Sequence, residues 1–132
     1  MRTPHPNGQF MTPSPHAIGS QQTLSVAHKL MRDFGLRHLP VLDGGKLVGI
    51  VSQRDLYFLE TLRDVIPETT AVSEAMTEDA YAVPPGTPLD EVADAMARGK
   101  YGCAVVTEHG KLLGIFSAVD GLRVLAQLER ER

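Results

Sequence analysis

The stretch GKLVGIVSQRD at residues 45–55 returns as GKLLGIFSAVD at residues 110–120, with seven of eleven positions identical. The interval of 65 residues extends well beyond these segments. At that offset residues 11–56 align with residues 76–121 without a gap, and 13 of the 46 positions agree. The 132-residue chain is therefore two copies of one unit. A missed repeat would misassign the whole fold, so this reading comes before any assignment of elements.

Each copy opens with Met-Thr, at 11–12 and 76–77, and a short extended piece, His16-Ala17-Ile18 or Tyr81-Ala82-Val83. A helical pattern follows: Leu24, Ala27, Met31 and Phe34 recur on one face, and Leu89, Val92 and Met96 repeat it. Thr87 as N-cap with Pro88 at the first helical position predicts a helix start, and Gly35 and Gly99 predict helix ends. The period then changes to that of strands. Apolar runs at 39–42 and 47–51 flank the turn sequence Asp43-Gly44-Gly45, and runs at 104–106 and 112–116 flank Glu108-His109-Gly110. A last helix begins at Ser52 or Ser117; the first of these continues through 56–62 until Pro67 ends it.

A unit of about 46 residues buries too little apolar area to stand alone, so the two copies are expected to pack into one body. The expected organisation is a flexible N-terminal segment at 1–10, a first repeat at 11–66, a linker at 67–75, and a second repeat at 76–132 that includes a C-terminal helix. Leu122, Leu125 and Leu128 form a stripe on that helix, suited to packing on the body or on a second subunit.

Composition removes several function classes. Thirteen basic against sixteen acidic residues give a net charge of -3, without the basic excess that nucleic-acid binding needs. One cysteine, Cys103, excludes an intramolecular disulfide framework and a Cys-clustered zinc site, and fits a reducing compartment. No apolar stretch approaches the roughly 20 residues of a membrane helix, and MRTPHPNGQF has no apolar targeting core. The chain reads as a cytoplasmic, soluble protein. His5, His16, His28, His38 and His109 show no metal-ligand spacing, and no catalytic motif is present, so neither a metal site nor an enzyme is expected.

Two tandem units of Met-Thr, strand, helix, GLRHLPVLD and GKLVGIVSQRD resemble a pair of cystathionine-β-synthase (CBS) domains, the arrangement called a Bateman module. The resemblance covers residues 11–122. It implies an α/β (α+β) fold of two βαββα repeats related by a pseudo-two-fold, each with a small mixed sheet and two helices. It implies a homodimer, no catalysis, and a regulatory role in which an adenosine-containing ligand such as AMP, ADP, ATP or S-adenosylmethionine sits in a cleft between repeats. No cofactor is implied beyond that ligand, with Mg2+ as an optional companion of its phosphates.

Ser52 stands where an apolar strand gives way to a helix, a place where free backbone N–H groups favour an anion. Asp55 lies one turn further on, and in the family's [Ser/Thr]-x-x-Asp motif this carboxylate accepts hydrogen bonds from both ribose hydroxyls. Ser-x-x-Asp is equally a capping box, in which both side chains serve only the helix, so both readings stay open. The resemblance places Arg37 and His38 toward the phosphates and backbone groups of Leu39 and Pro40 toward the base. Arg54 is a further candidate cation, although the common fate of a single arginine is a solvated surface charge. Ala17 and Ile18 would give the base apolar contact.

The second copy has Val83, Gly102, Cys103, Ala104, Ser117 and Asp120 at corresponding places. Arg37 and His38 become Gly102 and Cys103, Pro40 becomes Val105, and Arg54 becomes Val119, so the second site is expected to be weaker, selective for a less charged ligand, or empty. Cys103 reads as a small buried strand residue. Two functions follow: a sensor that signals to a separate, unidentified effector protein, and a ligand-free dimerisation or docking scaffold.

Overall fold

In the computed structural model, which describes residues 5–132, the elements run β1 (Thr12–Pro13), β2 (Ile18–Gly19), α1 (Leu24–Phe34), β3 (His38–Asp43), β4 (Lys46–Ser52), α2 (Gln53–Glu60), β5 (Ala82–Val83), α3 (Leu89–Gly99), β6 (Cys103–Glu108), β7 (Lys111–Ser117) and α4 (Ala118–Arg130). This is the α/β repeat architecture expected from the sequence. Two compact units emerge, one of residues 16–80 and one joining residues 5–15 to residues 81–132.

In the unit of residues 16–80, β2 runs parallel to β3, which pairs antiparallel with β4. Gly44 and Gly45 both take left-handed φ, 58° and 82°, as a tight two-residue hairpin demands. Thr23 caps α1 by accepting from the Val26 N–H, and Gly35 ends it at φ 65°. The helix buries Leu24, Ala27 and Met31 against Ile18, Leu39, Val41, Val51, Leu56 and Val72. Phe34, expected on that face, is half exposed instead. α2 stops at Thr61, well before Pro67, because the Thr61 and Leu62 N–H groups turn back to Phe58 and Leu59 carbonyls in a tightened last turn.

The expected linker is a strap belonging to this unit. Leu24 N–H donates to Thr70 O at 3.0 Å, Val72 N–H to Gln22 O at 2.7 Å and Ser73 N–H to Ser20 O at 3.0 Å, and Thr77 pairs with Ile50. Val72 within it is fully buried.

The other unit repeats this plan with sheet order β1-β7-β6-β5. Residues 5–13 supply its strap. Leu89 N–H donates to His5 O at 2.7 Å, Asn7 N–H to Thr87 O at 2.9 Å and Gly8 N–H to Pro85 O at 2.9 Å, and Thr12 pairs with Ile115. Asn7 is fully buried, so residues 5–10 of the segment expected to be flexible are tied down; residues 1–4 of that segment lie outside the described residues. The opening segment of each repeat in sequence thus closes the unit that holds the other repeat. Gly49 and Gly114 make room for it: a Cβ at Gly49 would stand 2.6 Å from Thr77 O, and one at Gly114 2.8 Å from Thr12 O.

Helix α3 begins at Leu89 with Pro88, not Thr87, at the cap; proline has no side-chain acceptor, so no side-chain cap bond forms, and the Leu89 N–H donates to His5 O. Its left-handed end is Lys100, not Gly99; the Tyr101 ring lies where a Gly99 side chain would go, so that glycine serves packing. The stripe on α4 divides. Leu128 packs on the core of Val83, Val92, Met96, Ala104, Phe116 and Val124, while Leu122 and Leu125 face solvent.

Candidate functional site

Antiparallel pairing brings the end of β4 beside the start of β3. His38 is the partner of Ser52, and Gln53 N–H donates to Arg37 O at 2.9 Å. Arg37 and His38 are thereby joined to Ser52, Arg54 and Asp55 at one corner. The capping box forms: Asp55 N–H donates to Ser52 Oγ at 3.0 Å, and Ser52 N–H donates to Asp55 Oδ2 at 2.9 Å. This uses one carboxylate oxygen. Asp55 Oδ1 has no hydrogen-bond partner among the described residues, so capping leaves an oriented, half-buried acceptor available.

Arg37 and Arg54 are exposed and make no ion pair among the described residues. His38 differs from both. Burial holds its imidazole below the ordinary histidine range; Asp55 pulls it upward and Arg37 pushes it down. It stands uncharged at neutral pH, so the local cations are the two arginines.

Ile18 and Leu39 point into the core and are fully buried, and Pro40 is buried as well, which leaves backbone groups and the half-buried Ala17 to border the corner. Pro40 changes the ladder. In the other unit Val105 N–H donates to Tyr81 O at 2.8 Å; Pro40 occupies the equivalent position and has no N–H, so His16 O, the counterpart of Tyr81 O, has no donor among the described residues. The His16 ring stacks on Phe34 at 3.8 Å between centroids, an aromatic pair that sequence reading missed. Its sequence signal was two aromatic rings at the strand start and the helix end.

The second corner has the same backbone, with Cys103 opposite Ser117 and Ala118 N–H donating to Gly102 O at 3.0 Å. Its chemistry differs. Asp120 Oδ2 accepts from Ser117 N–H at 2.8 Å and Ser117 Oγ at 3.0 Å, and Oδ1 accepts from Thr12 Oγ1 at 3.3 Å, with Arg123 Nη1 at 3.7 Å. The Asp120 side chain is 9% exposed. Burial pushes the Cys103 thiol up to about 12, so it is not a nucleophile at neutral pH. Val83 and Ala104 belong to the core, and Tyr81 stacks on Tyr101. Among the described residues no group of three or more His, Cys, Asp or Glu is placed to hold a metal, and no helix is long and apolar enough to cross a membrane.

The CBS domain family profile matches residues 8–59 and again residues 72–127. A protein of Vibrio cholerae assigned to acetoin utilization is 33% identical, with 98% of each chain covered and a TM-score of 0.87. CBSX2 of Arabidopsis thaliana, solved in complex with AMP, is 29% identical, with 95% of this chain and 98% of that chain covered and a TM-score of 0.83. An inosine-5'-monophosphate dehydrogenase of Korarchaeum cryptofilum is 38% identical over 104 residues, 78% of this chain. The chain spans about a fifth of the length of the dehydrogenases it matches. Both repeats are matched, in the order and with the fold that the duplication demands: the chain belongs to the CBS domain family as a tandem pair.

Proposed function

We propose that the corner of Arg37, His38, Ser52, Arg54 and Asp55 binds an adenosine-containing ligand, AMP, ADP, ATP or S-adenosylmethionine, and that the chain is a regulatory module acting on a separate effector. The observation that carries this reading is the Asp55 carboxylate, oriented through Oδ2 by the Ser52 N–H while Oδ1 stays available. A carboxylate oxygen held in this way suits a pair of ribose hydroxyls. The complex of the 29% identical CBSX2 with AMP supports the ligand class. Arg37 and Arg54 would meet phosphates, and a phosphate beside His38 would restore its proton. The His16 carbonyl would accept from the exocyclic amine of adenine, where guanine presents an oxygen. Mg2+ would accompany only the longer phosphate chains, and no cofactor is required.

Signalling would follow from preferential binding of one conformation or assembly over another. Tyr57 and Phe58 on α2 and Leu122 and Leu125 on α4 are exposed apolar side chains, which we assign to a homodimer in the cytoplasm. The same exposed faces favour the second reading, a ligand-free docking scaffold. Thermal unfolding with AMP, ADP, ATP, S-adenosylmethionine and GTP separates the two. A ligand at 100 times its Kd adds about 2.7 kcal/mol, a shift of several degrees. A shift with an adenosine ligand supports the sensor; none with any of them leaves the scaffold.

A further inference from the structure

We propose that Asp120 is a latch for the N-terminal strap of residues 5–13 and not a ribose acceptor. The two repeats share Ser-x-x-Asp and the opening Met-Thr, so one serves as a control for the other. Thr12 and Thr77 hold equivalent positions, paired with Ile115 and Ile50. Only Thr12 turns its hydroxyl to the nearby carboxylate, 3.3 Å from Asp120 Oδ1. Arg123 approaches the same oxygen where the first repeat has Phe58. Every accepting oxygen of Asp120 is thus engaged within its own unit, while Asp55 keeps one free.

The strap has reason to need a latch. The strap of residues 70–77 follows its own repeat directly in the chain, whereas residues 5–13 are joined to residues 81–132 only through the whole intervening repeat. Residues 5–13 are kept on residues 81–132 by noncovalent contacts, with no short covalent connection between the two segments. Asn7 Nδ2 donates to Thr87 O at 2.8 Å and Pro84 O at 3.0 Å, but its buried Oδ1 has no partner among the described residues. Beyond Pro13 the chain passes through Ser14 at φ 46°, an uncommon conformation for a residue other than glycine. The Thr12–Asp120 bond fastens the strap between that imperfect anchor and that strained exit. The latch is independent of nucleotide binding at Asp55.

The test is residue-resolved hydrogen exchange on the full chain. Thr12→Val removes the hydroxyl at constant shape and is expected to speed exchange of the Asn7 and Ser14 amides, which bond Thr87 O and Leu113 O, by about tenfold, the loss of one hydrogen bond to a charged group. Thr12→Ser restores protection. Thr77→Val leaves the Val72 and Ser73 amides unchanged. In an Asp120→Ala background Thr12→Val has no further effect. The proposal is overturned by equal effects of Thr12→Val and Thr77→Val, by an undiminished effect without Asp120, or by an AMP titration that loses one of two binding events in Asp120→Ala. If that last variant does not fold, the Val, Ser and Thr77 comparison still decides. Wild-type protein that binds no AMP would refute the Asp55 reading and leave the exchange result standing.

Discussion

Asp55→Asn separates the two duties of one carboxylate. Ser52 N–H, at 2.9 Å from Oδ2, needs an acceptor, so the new amide turns its oxygen there and its NH2 group toward the position of Oδ1. The capping box survives. What is lost on the helix side is the favourable charge near the N-terminus of α2, about 0.3–1 kcal/mol, which lowers the melting midpoint by at most about 4 °C for a chain of this size. On the ligand side, two ribose hydroxyl donors face a donor in place of a charged acceptor. Hydrogen bonds to charged groups contribute about 1.5–3 kcal/mol each; with one or both lost, a penalty of about 2–4 kcal/mol weakens AMP about 30- to 700-fold. Titration calorimetry with AMP, beside thermal melting without it, measures both quantities. A Kd within threefold of wild type in a normally melting variant would refute the assignment of Asp55 to the ribose.

Four further outcomes are expected. Arg37→Gln weakens AMP and ATP by up to about fivefold at low salt, an exposed charge pair contributing up to about 1 kcal/mol, and leaves adenosine unaffected; calorimetry in low and high salt reads both. Pro40→Val restores the N–H that Val105 carries, occupies the His16 carbonyl, and reduces the preference for AMP over GMP by about 2- to 12-fold, the worth of one neutral hydrogen bond; competition binding measures the ratio. Gly49→Ala, whose Cβ would meet Thr77 O at 2.6 Å, forces the strap outward and costs about 1–3 kcal/mol, read as a fall of several degrees in thermal melting. His38 has a folded pKa below its ordinary 6.5, so the unfolded chain binds more protons in the window below pH 6.5 and stability falls as pH drops through it. His38→Gln flattens this part of the stability–pH curve measured by denaturant titration.

The repeat, the hairpins and both capped helices were legible in the sequence because each is written in local chemistry: alternation, turn residues, Ser at a strand end. The straps were not. Residues 5–13 contain two prolines and an Asn-Gly pair, and residues 67–75 are largely polar, which describes a tail and a linker when each is read alone. Their order comes from long-range bonds: Leu89 N–H to His5 O, Leu24 N–H to Thr70 O. A trace was present in the 65-residue offset, which carries His5 onto Thr70 and Asn7 onto Val72, but Asn7 and Val72 share no chemistry that a comparison of residue types detects. The one common property is complete burial, and burial is a property of the fold.

The same limit governs the two corners. Ser-x-x-Asp is identical in both copies, and the second copy lacks counterparts of Arg37, His38 and Arg54, the basis for expecting it to be the poorer place for phosphate. A further substitution lies outside the motif. Pro40 against Val105, one of the departures visible in the sequence, removes a single backbone donor; this leaves a carbonyl beside the first corner without a donor among the described residues, while in the second the Tyr81 carbonyl is consumed. Proline is tolerated in this central strand because β2 is two residues long and pairs only with Val41 and Leu42. At these positions the two copies also differ in which acceptors are left without a partner among the described residues. One copy keeps an open acceptor on Asp55 and another on His16. The other closes both, with Thr12 and with Val105, and a chain built from two equal units arrives at one corner with polar groups left to satisfy.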